Sequence, residues 1–533
     1  MKKTLCIISL FLAALFTVAC APTEDDPATD NVGSVDTDPG SDTTPNPDDA
    51  TGDGEVPEGT TDDPGTETVM PDIDTVQCTP GETAECYLGP TGSKGVGICK
   101  AGMATCAASG NWGNCEGMVL PTVEICNDGI DQNCDTVDAT EDNVIDIDQD
   151  GYTYCTGDCC EVESECLHPE LVGPGGYDFP GNSVDDNCNG EIDEVESCDT
   201  GLSEDSTDAT DMAKSIGLCP VGNGKDYGLV SAEILFPDGT TTSQAAQVPG
   251  ADAQGNAVTV DCTPGPPNPD SYAILSKFGN IITPHEGGSF FMMASGVADD
   301  PIPVVAMTPE NISTETMCTR SNAPSDWYSA NGNKFPSSPA CGLSGDPGAE
   351  PLNDPVMLQI KVKVPVNARS FSVDIYFFSR EFPEYVCQYN DFFVALLDSS
   401  FTSGDPNLQN PADKNLAMDA NKNPVGINLA KAGLFRACCN GPNAIACGYD
   451  MINNYMNFCT LGPAELDGTG LYDGDDKNGG TGWLVTKGNV VPGEEITLRF
   501  AIWDALDHVL DTEIILDNFK WLPVEVTPGT GQE

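Results

Sequence analysis

The chain has 533 residues, a formal net charge of −64, 39% hydrophobic residues, 24 cysteines and three histidines. At roughly 150 residues per domain, this length predicts three or four domains. The charge excludes generic affinity for nucleic acid or an anionic lipid surface, both of which would repel it.

The run from Met1 through Lys3, followed by apolar residues at 5–16, has the layout of a secretory signal. It is too short to span a bilayer as a stable helix. It ends in Thr17-Val-Ala-Cys20, which resembles a bacterial lipoprotein box, with Thr17 where that box usually has Leu. The resemblance implies that Cys20 is lipidated and becomes the mature N-terminus. Cleavage at the Ala19-Cys-Ala21 pattern, giving a secreted protein, is the alternative. With Cys6 and Cys20 set aside, 22 cysteines remain. An even number in an exported chain predicts up to eleven disulfides, whose pairing sequence does not reveal. The absence of any Cys-x-x-Cys argues against zinc or thioredoxin-type redox chemistry.

Residues 21–77 are Asp, Thr, Pro and Gly with 17 acidic residues and no basic one. Such a segment buries too little apolar area to offset its ordering entropy, and its charges repel one another. A disordered acidic stalk is expected. Residues 78–121 form a Cys- and Gly-rich module that must rely on disulfides, with Trp112 as its expected aromatic centre.

Residues 122–200 are the most informative. No Lys or Arg occurs between Gly102 and Ala213, yet carboxylates crowd there. Bare, they would oppose compaction; bound by hard cations, they would not. Asp146, Asp148 and Asp150, followed by Gly151 and Tyr152, reproduce the first half of a calcium loop. There alternate side chains face one ion, and Tyr152 would offer its carbonyl. The twelfth position is Gly157 rather than Glu, so this is no EF-hand, and Asp158 is the candidate to close a variant loop. Before and after it lie Cys126-Asn-Asp-Gly-Ile-Asp-Gln-Asn-Cys134-Asp and Asp185-Asp-Asn-Cys188-Asn-Gly-Glu-Ile-Asp-Glu194. These strings resemble the MopE-type metal-binding repeat, with Asp135-Thr-Val-Asp138 in place of the usual Asp-Gly-x-x-Asp. The oxygen donors they offer are Asp128, Asp131, Asn133 and Asp135, then Asp185, Asp186, Asn187, Asn189 and Asp193. A disulfide at Cys134 or Cys188 would pin the backbone around an ion. An ion-free acidic turn is the competing reading.

From about residue 206 the composition becomes ordinary. Period-two alternation and aromatic enrichment predict strands at 357–364, 371–378, 391–397, 495–502 and 512–521. One helix is expected, at 209–218. Long connections suggest a mainly β fold, a jelly-roll-like β-sandwich. Phe377-Phe-Ser-Arg-Glu381-Phe-Pro-Glu-Tyr385 and Tyr389-Asn-Asp391-Phe-Phe-Val resemble the choice-of-anchor L domain of bacterial surface proteins, over 206–523. Residues 524–533 read as a tail without sorting signal, which returns anchoring to Cys20.

Asp504, Asp507 and Asp511 share one loop and could hold a second calcium ion. Turn-forming aspartates with a buried Asp–Asn network around Asp517 and Asn518 are the alternative. For Glu381, Asn390 and Asp391, structural hydrogen bonding is expected. Catalysis finds no motif: His168, His285 and His508 stand apart from any recognisable nucleophile or metal signature. The reading is a non-enzymatic, calcium-binding lipoprotein of the outer membrane or cell surface, touching the membrane through its lipid only. It would act in adhesion or recognition of an extracellular polysaccharide or protein. The alternatives are a structural envelope scaffold and a secreted glycan hydrolase.

Overall fold

The computed structural model describes residues 78–122, 125–140, 145–163, 166, 168–194, 197–222, 225–251, 257–296, 298, 319–344, 350–383, 385–388, 391–438, 457–471, 479–505 and 511–532. The signal, Cys20, the acidic stalk, Asp507, His508 and Asn390 lie outside these residues. All the described residues belong to one unit, Thr68–Glu533.

The first module is a short antiparallel pair, β1 (Thr83–Cys86) and β2 (Gly102–Thr105), with Thr83 opposite Thr105. Four-residue strands offer little apolar area, and the buried residues here are Cys86, Cys99, Ala104 and Cys106. Trp112 is only half-buried, so the expected aromatic centre is replaced by cystines. Cys78–Cys106 and Cys86–Cys115 close this module. Further bridges then follow one another along the chain: Cys99–Cys134, which overlaps Cys126–Cys155, then Cys159–Cys188 and Cys198–Cys219. The adjacent Cys159 and Cys160 go to different partners, the latter to Cys166. Each bridge removes about 2–4 kcal/mol of unfolded-state freedom. Between 125 and 194 the described residues contain no strand, only 3₁₀ turns at Tyr154–Thr156 and Pro169–Leu171.

The expected helix forms as α1 (Ala209–Ser215), with the Asp208 side chain accepting from Thr210 N. Gly217 ends it at φ +94°, packed where a Cβ would meet the Phe519 backbone. Strands then follow in chain order: β3 (Gly228–Leu235), β4 (Ala246–Ala251), β5 (Ala257–Cys262), β6 (Tyr272–Leu275), β7 (Phe290–Ala294) and β8 (Arg320–Ser321). After the short helix α2 (Ser325–Ala330) come β9 (Leu352–Lys363), β10 (Ser370–Ser379) and β11 (Phe392–Asp398). The one-turn helix α3 (Leu429–Ala432) precedes β12 (Arg436–Ala437) and β13 (Asn457–Phe458). Last are β14 (Gly479–Asn489), β15 (Glu495–Asp504), β16 (Thr512–Leu522) and β17 (Gly529–Gly531).

Two sheets pack face to face. One has the order β13-β12-β14-β10-β16-β7-β6, with β17 on β14; the other is β11-β15-β9-β3, with β8 on β9. The chain alternates between sheets from β9 to β11 and from β14 to β16, as a jelly roll does. Phe371, Val373, Ile375 and Phe377 of β10 meet Leu358, Ile360, Leu498, Phe500 and Phe393 across the centre. The outer faces are covered too. Tyr376, Phe378, Ile515 and Met292 pack beneath Leu466 and Leu471, while Met357, Val394 and Trp503 pack beneath Trp327 and Phe335. A strand buried on both sides needs no alternation, and all ten residues of β10 are buried.

Among the departures from expectation are the two longest unanticipated strands, β14 and β3, and one boundary. The glycine-rich β14 is a long central strand because Gly480 lies where a Cβ would be 2.7 Å from the Tyr376 ring. β3 was hidden by its polar outer face. The presumed tail is structural, since Thr530 is buried and Val485 pairs with Gly531.

Candidate metal centres

Three loops in the acidic region share one local build. In each, a first side chain folds back onto backbone N–H groups four or five residues ahead. Asp131 accepts from Asp135 N and Thr136 N, Asp146 from Gly151 N and also Gln149 N, and Asp185 from Asn189 N and Gly190 N. The residue two further on accepts from the N–H of the residue two beyond itself, at Asn133, Asp148 and Asn187. Asp135, Asp150 and Asn189 do the same. The backbone repeats as well: Cys134, Gln149 and Cys188 have φ of 65°, 67° and 56°, and Thr136, Gly151 and Gly190 have 91°, 99° and 93°. Thr136 therefore holds the left-handed position that glycine fills elsewhere. This is the turn geometry that sends alternate oxygens to one side of a calcium loop.

The central loop shows where those oxygens point. Ile145 and Ile147 are 74% and 55% exposed, whereas Asp146, Asp148 and Asp150, at alternate positions, are half-buried. They meet Asp158 and Glu161, which are 5% and 1% exposed. Two sets of ligand oxygens lie within 4.8 Å of one another: Asp146, Asp148 and Glu161, and Asp148, Asp150 and Asp158. Among the described residues, no N–H or O–H donor reaches Asp148 Oδ2 or Asp158 Oδ2, both buried. Burial raises the carboxyls of Asp148 and Asp150 above the usual range and pushes Asp158 up to about 7, with neighbouring carboxylates adding to each. Glu161 was not anticipated, because it lies beyond the loop length an EF-hand would use. Its sole sequence signal is closeness to Cys159 and Cys160, whose bridges draw the segment in.

In the third loop the closing group is Glu194, which accepts from Asn187 Nδ2 at 2.7 Å and from Asn189 Nδ2. It faces Asp178, also unanticipated. Burial pushes Asp178 up to about 7; burial acts on Glu194 too, but hydrogen bonds from Asp178, Asn187 and Asn189 hold it at about 2. The two carboxyls thus face each other where a cation would supply charge. In the first loop Gly129 N donates to Asp138.

Three further anticipated ligands accept hydrogen bonds outside the repeated pattern of the loops. Asp128 accepts from Ile130 N and Gln132 Nε2, Asp186 from Phe179 N and Asn182 Nδ2, and Asp193 from Gly181, Asn182 and Ser183 N. For Tyr152 the structure gives a backbone N–H donated to Asp150. In the sandwich, Asp504 is buried at the end of β15 and Asp511 sits before β16, beneath Gly296. Among the described residues they join no triad of ligand atoms, and Asp507, the third member of the site expected there, lies outside the described residues. Asp391 does what hydrogen bonding predicted, accepting from Ala505 N and Thr512 Oγ1 at 2.9 and 2.5 Å. The Asp517–Asn518 network is present and includes a histidine expected to stand apart. His285 N donates to Asp517, and His285 Nδ1 lies 2.8 Å from Asp374 Oδ2, with Trp483 against its ring.

The loops are tied to the sandwich. Gly173 has Asp150 Oδ2 2.6 Å from its missing Cβ, and its N–H donates to Asp186 O. Asn367 then accepts from Tyr177 N and donates to the carbonyls of Leu171 and Tyr177. Phe179 enters the sandwich core.

Residues 342–520 match the model of the choice-of-anchor L domain, and residues 122–139 and 170–194 match the metal-binding motif of the MopE type. No curated relative and no solved structure matches the chain. The metal-binding motif covers the first and third loops and leaves the central one between its two halves. These matches mark a surface-associated metal-binding protein with a choice-of-anchor L domain in its C-terminal region.

Proposed function

We propose that the metal is calcium and that the acidic loops are clamps holding the disulfide module rigid against the sandwich. The observation that carries this reading is the inverted packing of residues 145–150, with isoleucines in water and half-buried carboxylates facing the buried Asp158 and Glu161. Burying unpaired carboxylates costs several kcal/mol each, so a divalent cation is the partner that makes the arrangement favourable. The donor set supports a hard ion. The ligand atoms are carboxylate and amide oxygens, and Cys134, Cys159 and Cys188 are locked in disulfides rather than offered as thiolates. Copper and zinc would favour imidazole or thiolate.

The protein is then an exported, lipid-anchored surface protein without enzymatic activity, in which the clamped module presents the sandwich for adhesion or recognition of an extracellular polymer. Calorimetry of the full-length protein, with calcium and then with EDTA, tests the clamp. Chelation should remove or markedly lower one transition and leave the sandwich transition in place. Identical melting under both conditions, with no metal found by mass spectrometry, would sink the calcium reading. Binding of the calcium-loaded protein to a glycan array tests the adhesive role; no binding in any form would favour a structural scaffold.

A further inference from the structure

The central loop holds too much charge for one ion. Two oxygens bound to the same calcium, each about 2.4 Å away, lie no more than about 4.8 Å apart. The five carboxylates here meet that limit as two triads sharing Asp148, one with Asp146 and Glu161, the other with Asp150 and Asp158, and they do not close into one set. One dication would leave three negative charges in a largely buried space; two would leave one. A second observation is independent of the clustering. Asp158 is 5% exposed, and no donor among the described residues reaches its Oδ2 or the Oδ2 of Asp148. The backbone is meanwhile engaged by other oxygens: Asp150 N donates to Asp148 Oδ1, Tyr152 N to Asp150 Oδ1, Cys160 N to Asp158 Oδ1 and Ile147 N to Glu161 Oε2. One oxygen of Asp148, Asp150 and Asp158 fixes the loop, leaving the other for a ligand, while both oxygens of Asp146 also accept from the loop backbone.

We propose that residues 146–161 form a two-cation centre, with Asp148 as the bridging carboxylate between one ion at Asp146 and Glu161 and another at Asp150 and Asp158. The two segments matched by the metal-binding motif do not include this centre. The proposal rests on the calcium reading and can fail without it. Native mass spectrometry of the full-length protein in calcium counts the ions. Glu161→Gln and Asp158→Asn should each lose one relative to wild type, and Asp148→Asn should lose two. Equal loss of a single ion in all three variants would overturn the two-cation centre while leaving calcium binding intact. A wild-type protein without any calcium would instead remove the underlying reading. Because a variant can fail to fold, the wild type supplies a second measurement. Loaded with manganese, it should show exchange coupling by electron paramagnetic resonance, as two ions sharing a carboxylate do; uncoupled manganese alone would overturn the bridge.

Discussion

The disulfide module and the sandwich solve the same problem with opposite materials. In the sandwich, Phe371, Ile375, Phe377, Leu498 and Phe500 are fully buried, and the apolar core supplies the driving force. In the module, Ile125, Ile145, Ile147 and Ile192 are more than half exposed, while Asp158, Glu161, Asp178 and Asp186 are inside. One region is held by burial of apolar surface; the other is held by sulfur bridges and by whatever neutralises its carboxylates. The lesson is that the two should respond largely independently to perturbation, joined at contacts such as Asn367 on Leu171 and Tyr177, Phe179 in the core, Tyr177 on Tyr227 and Gly288 N on Asp199.

The largest test of that independence is in the core. Phe377 is fully buried in the central cluster, and Phe377→Ala should cost about 3–5 kcal/mol. Denaturant unfolding should show the loss in the sandwich, with the ion count of the module unchanged. If both regions weaken together, the comparison is wrong. Asn367→Ala acts at the joint instead. It removes three hydrogen bonds to Leu171 and Tyr177, each worth about 1 kcal/mol. Hydrogen exchange should rise at residues 171–179 while β10 and β16 keep their protection. Unchanged exchange there would show that the packing of Phe179 and Tyr177, rather than these hydrogen bonds, secures the contact.

These regions also differ in how far sequence reveals them. Strands β9, β10, β11, β15 and β16 were legible because each carries a long aromatic or β-branched run. β14 was not, since its glycines are set by close neighbours, Tyr376 at Gly480, Arg436 at Gly479 and Gly482 and Leu416 at Gly488, rather than by strand propensity. In the acidic region, spacing identified Asp146, Asp148 and Asp150, and Asp158 beyond them. It could not separate Asp185, which starts a loop, from Asp193, which accepts three backbone N–H groups. Both are aspartates beside a tight turn, and only the fold decides which donors they face. Glu161 and Asp178 were invisible because disulfides and a docking contact, rather than local spacing, bring them in.

The smallest expected effect separates the regions by pH. On the outer face of the sandwich, Asp326 of α2 pairs with Arg499 at 2.7 Å and Lys414 at 2.7 Å, and Asp398 joins both cations. Burial raises the Asp326 carboxyl, but the hydrogen bonds and charges of Arg499 and Lys414 outweigh it and hold it well below the ordinary carboxylate range. A carboxyl depressed in the folded state stabilises that state above its unfolded value of 3.8 and loses the contribution as pH falls toward its folded value. The side chain is 35% exposed, so solvent screening limits the worth of the network to about 1 kcal/mol. Asp326→Asn should therefore cost about that much at neutral pH and almost nothing near pH 2, read from urea midpoints of the sandwich transition. Asp158 differs in sign, its carboxyl being raised rather than depressed. An Asp326→Asn cost that stayed constant down to pH 2 would mean that packing of α2 on Trp503, rather than the ion network, carries the contribution.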